Sequence, residues 1–171
     1  MSTDLQQRFQ LLHGESEGAR GELARIKATG RPTVVVSACL VGVRCRPDGR
    51  DRALPDVVTQ FAEGAEIVPL CPEVLARLGV PRPTIHFSAD GKQLVTERGK
   101  EVTSEVEAGA RLADMLAQQV GATRALLKER SPSCGVHKVH GPDGIVDGQG
   151  RFAARLAKRG LPIVGEDDPV R

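Results

Sequence analysis

The chain has 171 residues, of which 40% are hydrophobic and 27% charged, and its formal net charge is +2. This length suits a single globular domain with a sizeable core, and the balanced charge gives no electrostatic indication of a polyanionic partner. With no Trp, no Tyr and only four Phe, nucleic-acid binding by aromatic stacking is disfavoured. No apolar stretch approaches the roughly 18 to 20 residues of a membrane span, and the N-terminus does not resemble a signal peptide. We therefore expect a cytoplasmic protein whose four cysteines stay reduced.

The first 31 residues are predicted to form an N-terminal helical extension. Ser2 or Thr3 can cap a helix that continues to about Ala28, where a glycine and a proline end it. The apolar stripe of this helix is incomplete, so we expect an accessory helix at the periphery. Deleting the first 30 residues should then leave a folded core. Residues 32–171 form the second predicted unit, an α/β domain.

Three apolar strands are predicted in this domain, and each delivers a cysteine just past its carboxyl end. The strands and their cysteines are, in order, Thr33–Val36 with Cys39, Glu66–Leu70 with Cys71, and Arg124–Lys128 with Cys134. The first run, Thr33–Val36, is uncharged and β-branched, as is typical of a strand buried on both faces. Ligands of open α/β sheets bind in the crevice at the carboxyl ends of the strands. We therefore expect the three sulfurs to lie within about 7 Å of one another, the reach of one metal cluster.

Helices alternate with these strands. Apolar periodicity and end signals predict helices at 53–63, 72–78, 104–120 and 151–159, and a last strand at 161–164. The third helix has the strongest signal, because Ser104 and Glu107 fit a capping box. Residues 93–96 and 101–102 can form a small hairpin, and no element is predicted in the Gly-rich passage between Cys134 and Gly150. Alternating strands and helices imply right-handed crossovers and a mostly parallel sheet.

The spacing of the cysteines limits the chemistry of the expected site. No Cys-x-x-Cys occurs, which disfavours a zinc ribbon and a thioredoxin-type pair, and the local cysteine run of a ferredoxin is also missing. Converging thiolates would select zinc or an iron–sulfur cluster. A closed tetrahedral site would be structural, whereas three thiolates would leave one iron of a four-iron cluster open as a Lewis acid. Spacing does not decide between them, and burial of each cysteine as a small apolar residue is the plainer alternative.

Three motifs, in this order, resemble those of the thiouracil desulfidase (TudS-like) family: SACLVGVRCRPDG, LCPEVLARLGVPRP and LLKERSPSCG. The resemblance covers about Pro32 to Asp168. It implies a Rossmann-like three-layer fold, a [4Fe-4S] cluster on three cysteines, and replacement of thiocarbonyl sulfur by oxygen with release of sulfide. The implied substrate is a small thiolated nucleobase or nucleotide, such as thiouracil or a thiouridine nucleotide, and thiolated tRNA is a weaker alternative. Residues 32–171 would then be a desulfidase-like domain.

The resemblance also assigns roles to individual residues. The cluster ligands that it implies are Cys39, Cys71 and Cys134. Glu73 resembles the family's catalytic acid/base, and Ser131 resembles a hydroxyl that helps to hold the substrate. Cys45 is left out, because it lies six residues beyond the strand end that Cys39 marks. Each polar residue has an ordinary alternative: Glu73 can complement a helix N-terminus, and Ser131 can cap a turn.

Departures from the family pattern concern the substrate more than the cluster. His86 stands where a smaller or acidic residue is expected, and His137 and His140 occupy a segment in which the family carries aromatic and Thr residues. Arg82, held in extended chain between two prolines, is a further candidate to line the pocket. Two other functions stay open: a structural or regulatory module that binds zinc or an iron–sulfur cluster without catalysis, and a sulfur carrier that forms a persulfide.

Overall fold

The structure, a computed structural model, describes residues 3–169. Ser2 therefore lies outside the described residues, as do the last two residues of the predicted second unit. The helices are α1 (Thr3–His13), α2 (Ser16–Ala28), α3 (Pro55–Phe61), α4 (Pro72–Leu75), α5 (Thr103–Gln119) and α6 (Arg151–Lys158). The strands are β1 (Thr33–Ser37), β2 (Glu66–Leu70), β3 (Ile85–Phe87), β4 (Leu94–Thr96), β5 (Arg124–Leu127), β6 (Lys138–Gly141), β7 (Gly144–Asp147) and β8 (Ile163–Gly165).

The central sheet has the strand order β2-β1-β5-β8, and every pairing in it is parallel. Val35 illustrates the register, because it pairs with Val68 of β2 on one side and with Ala125 of β5 on the other. All five residues of β1 are buried, as the uncharged run predicts for a strand covered on both faces. The predicted α/β class with a parallel sheet is confirmed, and the carboxyl ends of its strands lie at one edge.

Helices cover both faces of this sheet, which gives the expected three layers. Val35 points into a core formed with α2, α5 and α6, in which Ile26 and Phe152 are fully buried. Val34 and Val36 point to the opposite face and pack with residues of α3 and of the segment that follows β1. Each Val or Ile side chain buried in this way contributes about 1.5–3 kcal/mol to folding.

The N-terminal segment differs from its prediction. It forms two helices, α1 and α2, separated at Gly14 and Glu15, instead of one. Leu12, Leu23 and Ile26 lie in the main core, so the expected peripheral position is wrong for these residues. The apolar stripe looked incomplete because its members belong to two helices that fold back on each other. Among residues 3–169, no helix combines the length and the apolar character needed to cross a bilayer.

Local predictions in the second half of the chain have mixed outcomes. Residues 93–96 and 101–102 do meet as predicted, through an antiparallel bridge between Val95 and Glu101 with backbone hydrogen bonds on either side, but the strand that pairs along the whole of β4 is β3. No capping box forms at α5: Val102 precedes the helix, and Thr103 Oγ1 instead accepts a hydrogen bond from the Leu94 amide. The Gly-rich passage forms the β6–β7 hairpin, which periodicity did not reveal because every residue of β7 is exposed.

Candidate functional site

A cavity of about 640 Å³ opens at the carboxyl ends of β1, β2 and β5, and we call it the strand-end cavity. Its volume lies in the range of small-molecule sites. The cavity is lined by all four cysteines, which are Cys39, Cys45, Cys71 and Cys134, and all four are free thiols. The structure thus brings the three predicted cluster ligands together at one site. Their role as ligands stays a prediction.

A tight turn after β1 presents Cys39. Residues Ala38–Val41 form one turn of 3-10 helix, which Gly42 closes with a positive φ of 89°. This left-handed conformation favours glycine, since a side chain would strain it. The Arg52 amide donates to Cys39 O at 2.9 Å and ties the turn to the chain that follows. The Cys39 side chain is thereby held at the cavity and is nearly fully buried.

Cys71 stands between β2 and α4, with Pro72 at the first helical position, where the missing N–H costs nothing. Its backbone amide donates to His13 Nε2 at 3.0 Å. Behind α4 lies Gly109 of α5, and a Cβ built there would come within 2.1 Å of Pro72 O. The absence of a side chain at Gly109 is therefore what allows α5 to support the segment that carries Cys71.

Two oxygen acceptors hold the loop that presents Cys134. Ser131 Oγ accepts hydrogen bonds from the amides of Ser133 and Cys134 at 3.1 and 3.0 Å. The buried carboxylate of Glu129 accepts from three amides farther along the loop, which are those of Val136, His137 and Lys138. The sequence analysis missed Glu129, because a single acidic residue after a strand has no periodic or motif signal of its own. Ser131 performs the capping role that was its alternative, and it also lines the strand-end cavity.

Cys45, which the resemblance leaves out, lies beside the predicted ligands. Hydrogen bonds to the sulfurs of Cys39 and Cys71, together with burial, raise the pKa of Cys45. The pKa of Cys71 is lowered, chiefly because its sulfur accepts the hydrogen bond of Cys45. Burial raises the pKa of Cys134, although a hydrogen bond with Ser37 opposes this effect. Within the thiol group, therefore, Cys45 favours the protonated form and Cys71 the thiolate.

Glu73, the predicted acid/base, is buried at the wall of the cavity with both carboxylate oxygens in use. Ser133 Oγ donates to Glu73 Oε1 at 3.0 Å, and Arg82 Nε donates to Glu73 Oε2 at 2.7 Å. Arg82 also donates to Cys45 O at 2.9 Å, so one guanidinium joins the carboxylate to the cysteine loop. The sequence included Arg82 only as a further candidate to line the pocket and did not reveal Ser133 as a partner of Glu73.

The rim of the strand-end cavity carries more basic than acidic side chains, and three of the basic ones are paired: Arg46 with Asp48, Lys128 with Glu166, and Arg130 with Glu166 and Asp167. The basic and histidine side chains that line it, apart from Arg82, are Arg46, Arg52, Lys128, Arg130, His86 and His140. Burial, followed by the positive charges of Lys128, Arg130 and His86, lowers the pKa of His140. His137 is different, because it is exposed and pairs with Asp168 at 2.9 Å outside the cavity lining. Of the three histidines singled out from the sequence, His86 and His140 thus line the cavity and can meet a ligand.

The donor set of the cavity fits an iron–sulfur cluster. Thiolates are the ligands that such clusters prefer, and three cysteines from three strand ends surround a space with room for an additional small ligand. Among the residues that the structure describes, no three His, Cys, Asp or Glu side chains meet closely enough to hold a single metal ion. A cluster distributes its ligands around several metals, so its ligands need not meet at one point.

Comparisons with known proteins agree with this geometry. A family model described as 2-thiouracil desulfurase matches residues 34–168, a range that contains the three motifs and confirms their resemblance. The uncharacterised protein YbbK of Bacillus subtilis (strain 168) is 29% identical over 146 residues, with coverage of 79% of this chain and 96% of the relative. A solved structure of the [4Fe-4S]-dependent thiouracil desulfidase TudS is 36% identical with a TM-score of 0.70, and the match covers 80% of this chain and 91% of that chain.

Proposed function

Since this chain belongs to the 2-thiouracil desulfurase family, we propose that it is a [4Fe-4S]-dependent desulfidase of thiolated pyrimidines. The reaction replaces a thiocarbonyl sulfur by oxygen: one water is consumed, the C=S bond becomes C=O, and hydrogen sulfide leaves without net electron transfer. The observation that carries the proposal is the meeting of three motif cysteines and the buried Glu73 at one cavity. The free thiols also support a place in the reducing cytoplasm.

The ligands of the cluster in this proposal are Cys39, Cys71 and Cys134. A cluster held by three thiolates supplies a Lewis-acidic iron without a protein ligand, which can polarise a thiocarbonyl sulfur. Cys45 is the cysteine that this proposal leaves outside the ligand set, because it lies six residues beyond Cys39 and not directly after a strand. It then acts as a hydrogen-bond donor to its neighbours' sulfurs, and such donors tune cluster sites.

Glu73 is the proton carrier in the proposed mechanism. A carboxylate can take a proton from the attacking water and return it to the departing sulfur, so that a single residue serves as base and then as acid. Arg82 and Ser133 hold its two oxygens and fix its direction toward the cavity. Ser131 Oγ accepts from two backbone amides, which fixes its oxygen at the cavity lining and leaves its own proton to be donated. That proton is available to the substrate.

The proposed substrate is a small thiolated nucleobase or nucleotide. A cavity of about 640 Å³ suits a pyrimidine nucleotide better than a folded nucleic acid. The excess of basic side chains at the rim supports a substrate with a phosphate, because Arg and Lys are the usual partners of that group and a phosphate can share or replace their carboxylate partners. We therefore rank a thiouridine nucleotide above the free base, and thiolated tRNA below both.

The test is anaerobic reconstitution with iron and sulfide, followed by measurement of sulfide release. We expect iron and acid-labile sulfide to bind in proportion to the protein, and thiouridine monophosphate to react faster than 2-thiouracil. A protein that holds the cluster but releases no sulfide from any thiolated pyrimidine would instead be a structural or regulatory metal-binding module. A persulfide on one cysteine of a metal-free protein would identify a sulfur carrier.

A further inference from the structure

Strand β2 is an edge strand of the central sheet, and Cys71 continues its free edge. The Glu66 amide donates to Pro32 O, toward β1. Because the N–H and C=O groups of a parallel strand alternate between its two sides, residues 67, 69 and 71 direct theirs away from β1. Position 69 is a proline, which has no N–H to satisfy and is tolerated at such an edge. The remaining outward groups need partners from elsewhere in the chain.

Helix α1 supplies two of those partners. Arg8 Nη1 donates to Ile67 O at 2.7 Å, and His13 Nε2 accepts from the Cys71 amide at 3.0 Å. Ion pairs of Arg8 with Glu22 of α2 and Glu66 of β2, at 2.7 and 2.9 Å, hold α1 in this position. The N-terminal helices therefore cover the free edge of β2. The last residue of α1, His13, contacts Cys71, which is predicted to bind the cluster.

The hydrogen bonds of His13 fix its tautomer. Nδ1 lies 2.8 Å from Phe9 O, which can only accept, so Nδ1 carries the proton. Nε2 is then unprotonated and free to accept from the Cys71 amide. The ring also stacks on Phe9, with centroids 3.9 Å apart. Burial lowers the pKa of His13 to about 4, which agrees with a neutral ring.

We propose that His13 is a positioning residue for Cys71: its imidazole holds the Cys71 backbone at the end of β2 and thereby directs the sulfur into the strand-end cavity. This proposal depends on the proposed function only where it predicts an effect on cluster binding. The contact of His13 with Cys71 involves a segment outside the family match, because α1 and α2 precede residues 34–168, the range that the family model matches. The N-terminal pair of helices would then be part of the site and not an accessory to it.

The tautomer can be tested in the native chain without any substitution. Long-range ¹⁵N–¹H correlation spectra of reduced, metal-free protein should show His13 protonated at Nδ1 and unprotonated at Nε2. Spectra that show a proton on Nε2 would overturn the proposal, since that nitrogen could not accept from Cys71. This measurement does not depend on cluster binding or on turnover.

Two substitutions separate the hydrogen bond from packing. His13→Gln keeps an acceptor near the position of Nε2, whereas His13→Phe keeps a flat ring that can stack on Phe9 but has no acceptor. Leu12→Ala is the matched control, because it destabilises the same helix from the core side. In metal-free protein we expect the Cys71 amide of His13→Phe to exchange about tenfold faster, the equivalent of one lost hydrogen bond.

After anaerobic reconstitution, His13→Phe should lose iron to a chelator about 10- to 100-fold faster than the native protein, as is usual when a group behind a metal ligand is removed. His13→Gln should restore both the amide exchange rate and the rate of iron loss. Equal acceleration in Leu12→Ala, or unchanged amide exchange in His13→Phe, would overturn the proposal. If no variant and no native protein binds iron, the exchange data still decide on His13 while the proposed function fails.

Discussion

Arg82 Nε lies 2.7 Å from Glu73 Oε2, and both side chains are buried beside the thiols of the strand-end cavity. Although burial opposes it, the charges of Glu73 and Cys71 raise the pKa of Arg82, so the guanidinium is a permanent cation. A second donor, Ser133 Oγ, holds the other carboxylate oxygen. The site therefore contains a carboxylate that is fixed in direction and placed within reach of a small ligand, as proton transfer requires.

The first prediction separates proton transfer from cluster binding. Glu73→Gln keeps the side-chain shape, with an amide oxygen for Arg82 and an amide NH₂ for Ser133, but it cannot carry a proton. We expect unchanged iron and sulfide content, while turnover falls by about 10²- to 10⁴-fold, the usual contribution of general acid–base catalysis. The measurement is cluster content beside the rate of sulfide release. Turnover close to that of the native enzyme would leave Glu73 as a carboxylate at a helix N-terminus.

The second prediction concerns the choice of ligands among the four cysteines. Cys71→Ser should lose the cluster and the activity together, because a hydroxyl is a poor substitute for a thiolate on iron. Cys45→Ser should retain a cluster, since a serine hydroxyl can still donate a hydrogen bond to a neighbouring sulfur. Iron content and the visible absorption of the cluster, measured under anaerobic conditions, distinguish the two variants. Loss of the cluster in Cys45→Ser but not in Cys71→Ser would reverse our assignment.

The third prediction replaces the expectation that the N-terminus is dispensable. Deleting the first 30 residues would expose the core contacts of Leu12, Leu23 and Ile26, each worth about 1.5–3 kcal/mol. This loss is comparable with the total stability of a typical domain, about 5–15 kcal/mol. We expect an insoluble product or a much lower urea midpoint than that of the full chain. A truncated protein with an unchanged midpoint would show that residues 32–171 fold independently.

Sequence reasoning succeeded where the signal is local and continuous. Strands β1, β2 and β5 are short, mainly apolar runs, and parallel strands place their carboxyl ends at one edge. The meeting of Cys39, Cys71 and Cys134 at one cavity could therefore be predicted from the positions of the cysteines after these runs. The family resemblance added the candidate roles of Glu73 and Ser131, which residue patterns do not reveal.

Sequence reasoning failed where a contact joins distant parts of the chain. His13 contacts Cys71, which is 58 residues away in the chain, and neither residue has a local sequence pattern that predicts the contact. Glu129 is a buried carboxylate whose partners are backbone amides, and amides are present in every loop. The pairing of β3 with β4 was missed for a related reason, because alternation of apolar residues identifies a strand but not the strand beside it.

The last prediction uses a glycine whose role lies in close packing. Alanine normally stabilises the interior of a helix relative to glycine, by about 0.5–1 kcal/mol. Gly109 of α5 is an exception, since a Cβ there would lie 2.1 Å from Pro72 O and 2.8 Å from Ala76 Cβ. Gly21 of α2 is the matched control, because a Cβ there meets nothing within 4 Å.

We expect the two substitutions to change the free energy of unfolding in opposite directions. Gly21→Ala should raise it by about 0.5–1 kcal/mol, following intrinsic helix preference. Gly109→Ala should lower it by about 1–3 kcal/mol, because overpacking forces α4 away from α5. The displaced α4 begins directly after Cys71 and carries Glu73, so Gly109→Ala should also weaken cluster retention, whereas Gly21→Ala should not. Urea unfolding measures the change in stability, and chelator-induced iron loss measures cluster retention. Equal stabilisation by both substitutions would contradict the prediction, because it would show that α4 can move to make room for a Cβ at position 109 at no cost in stability.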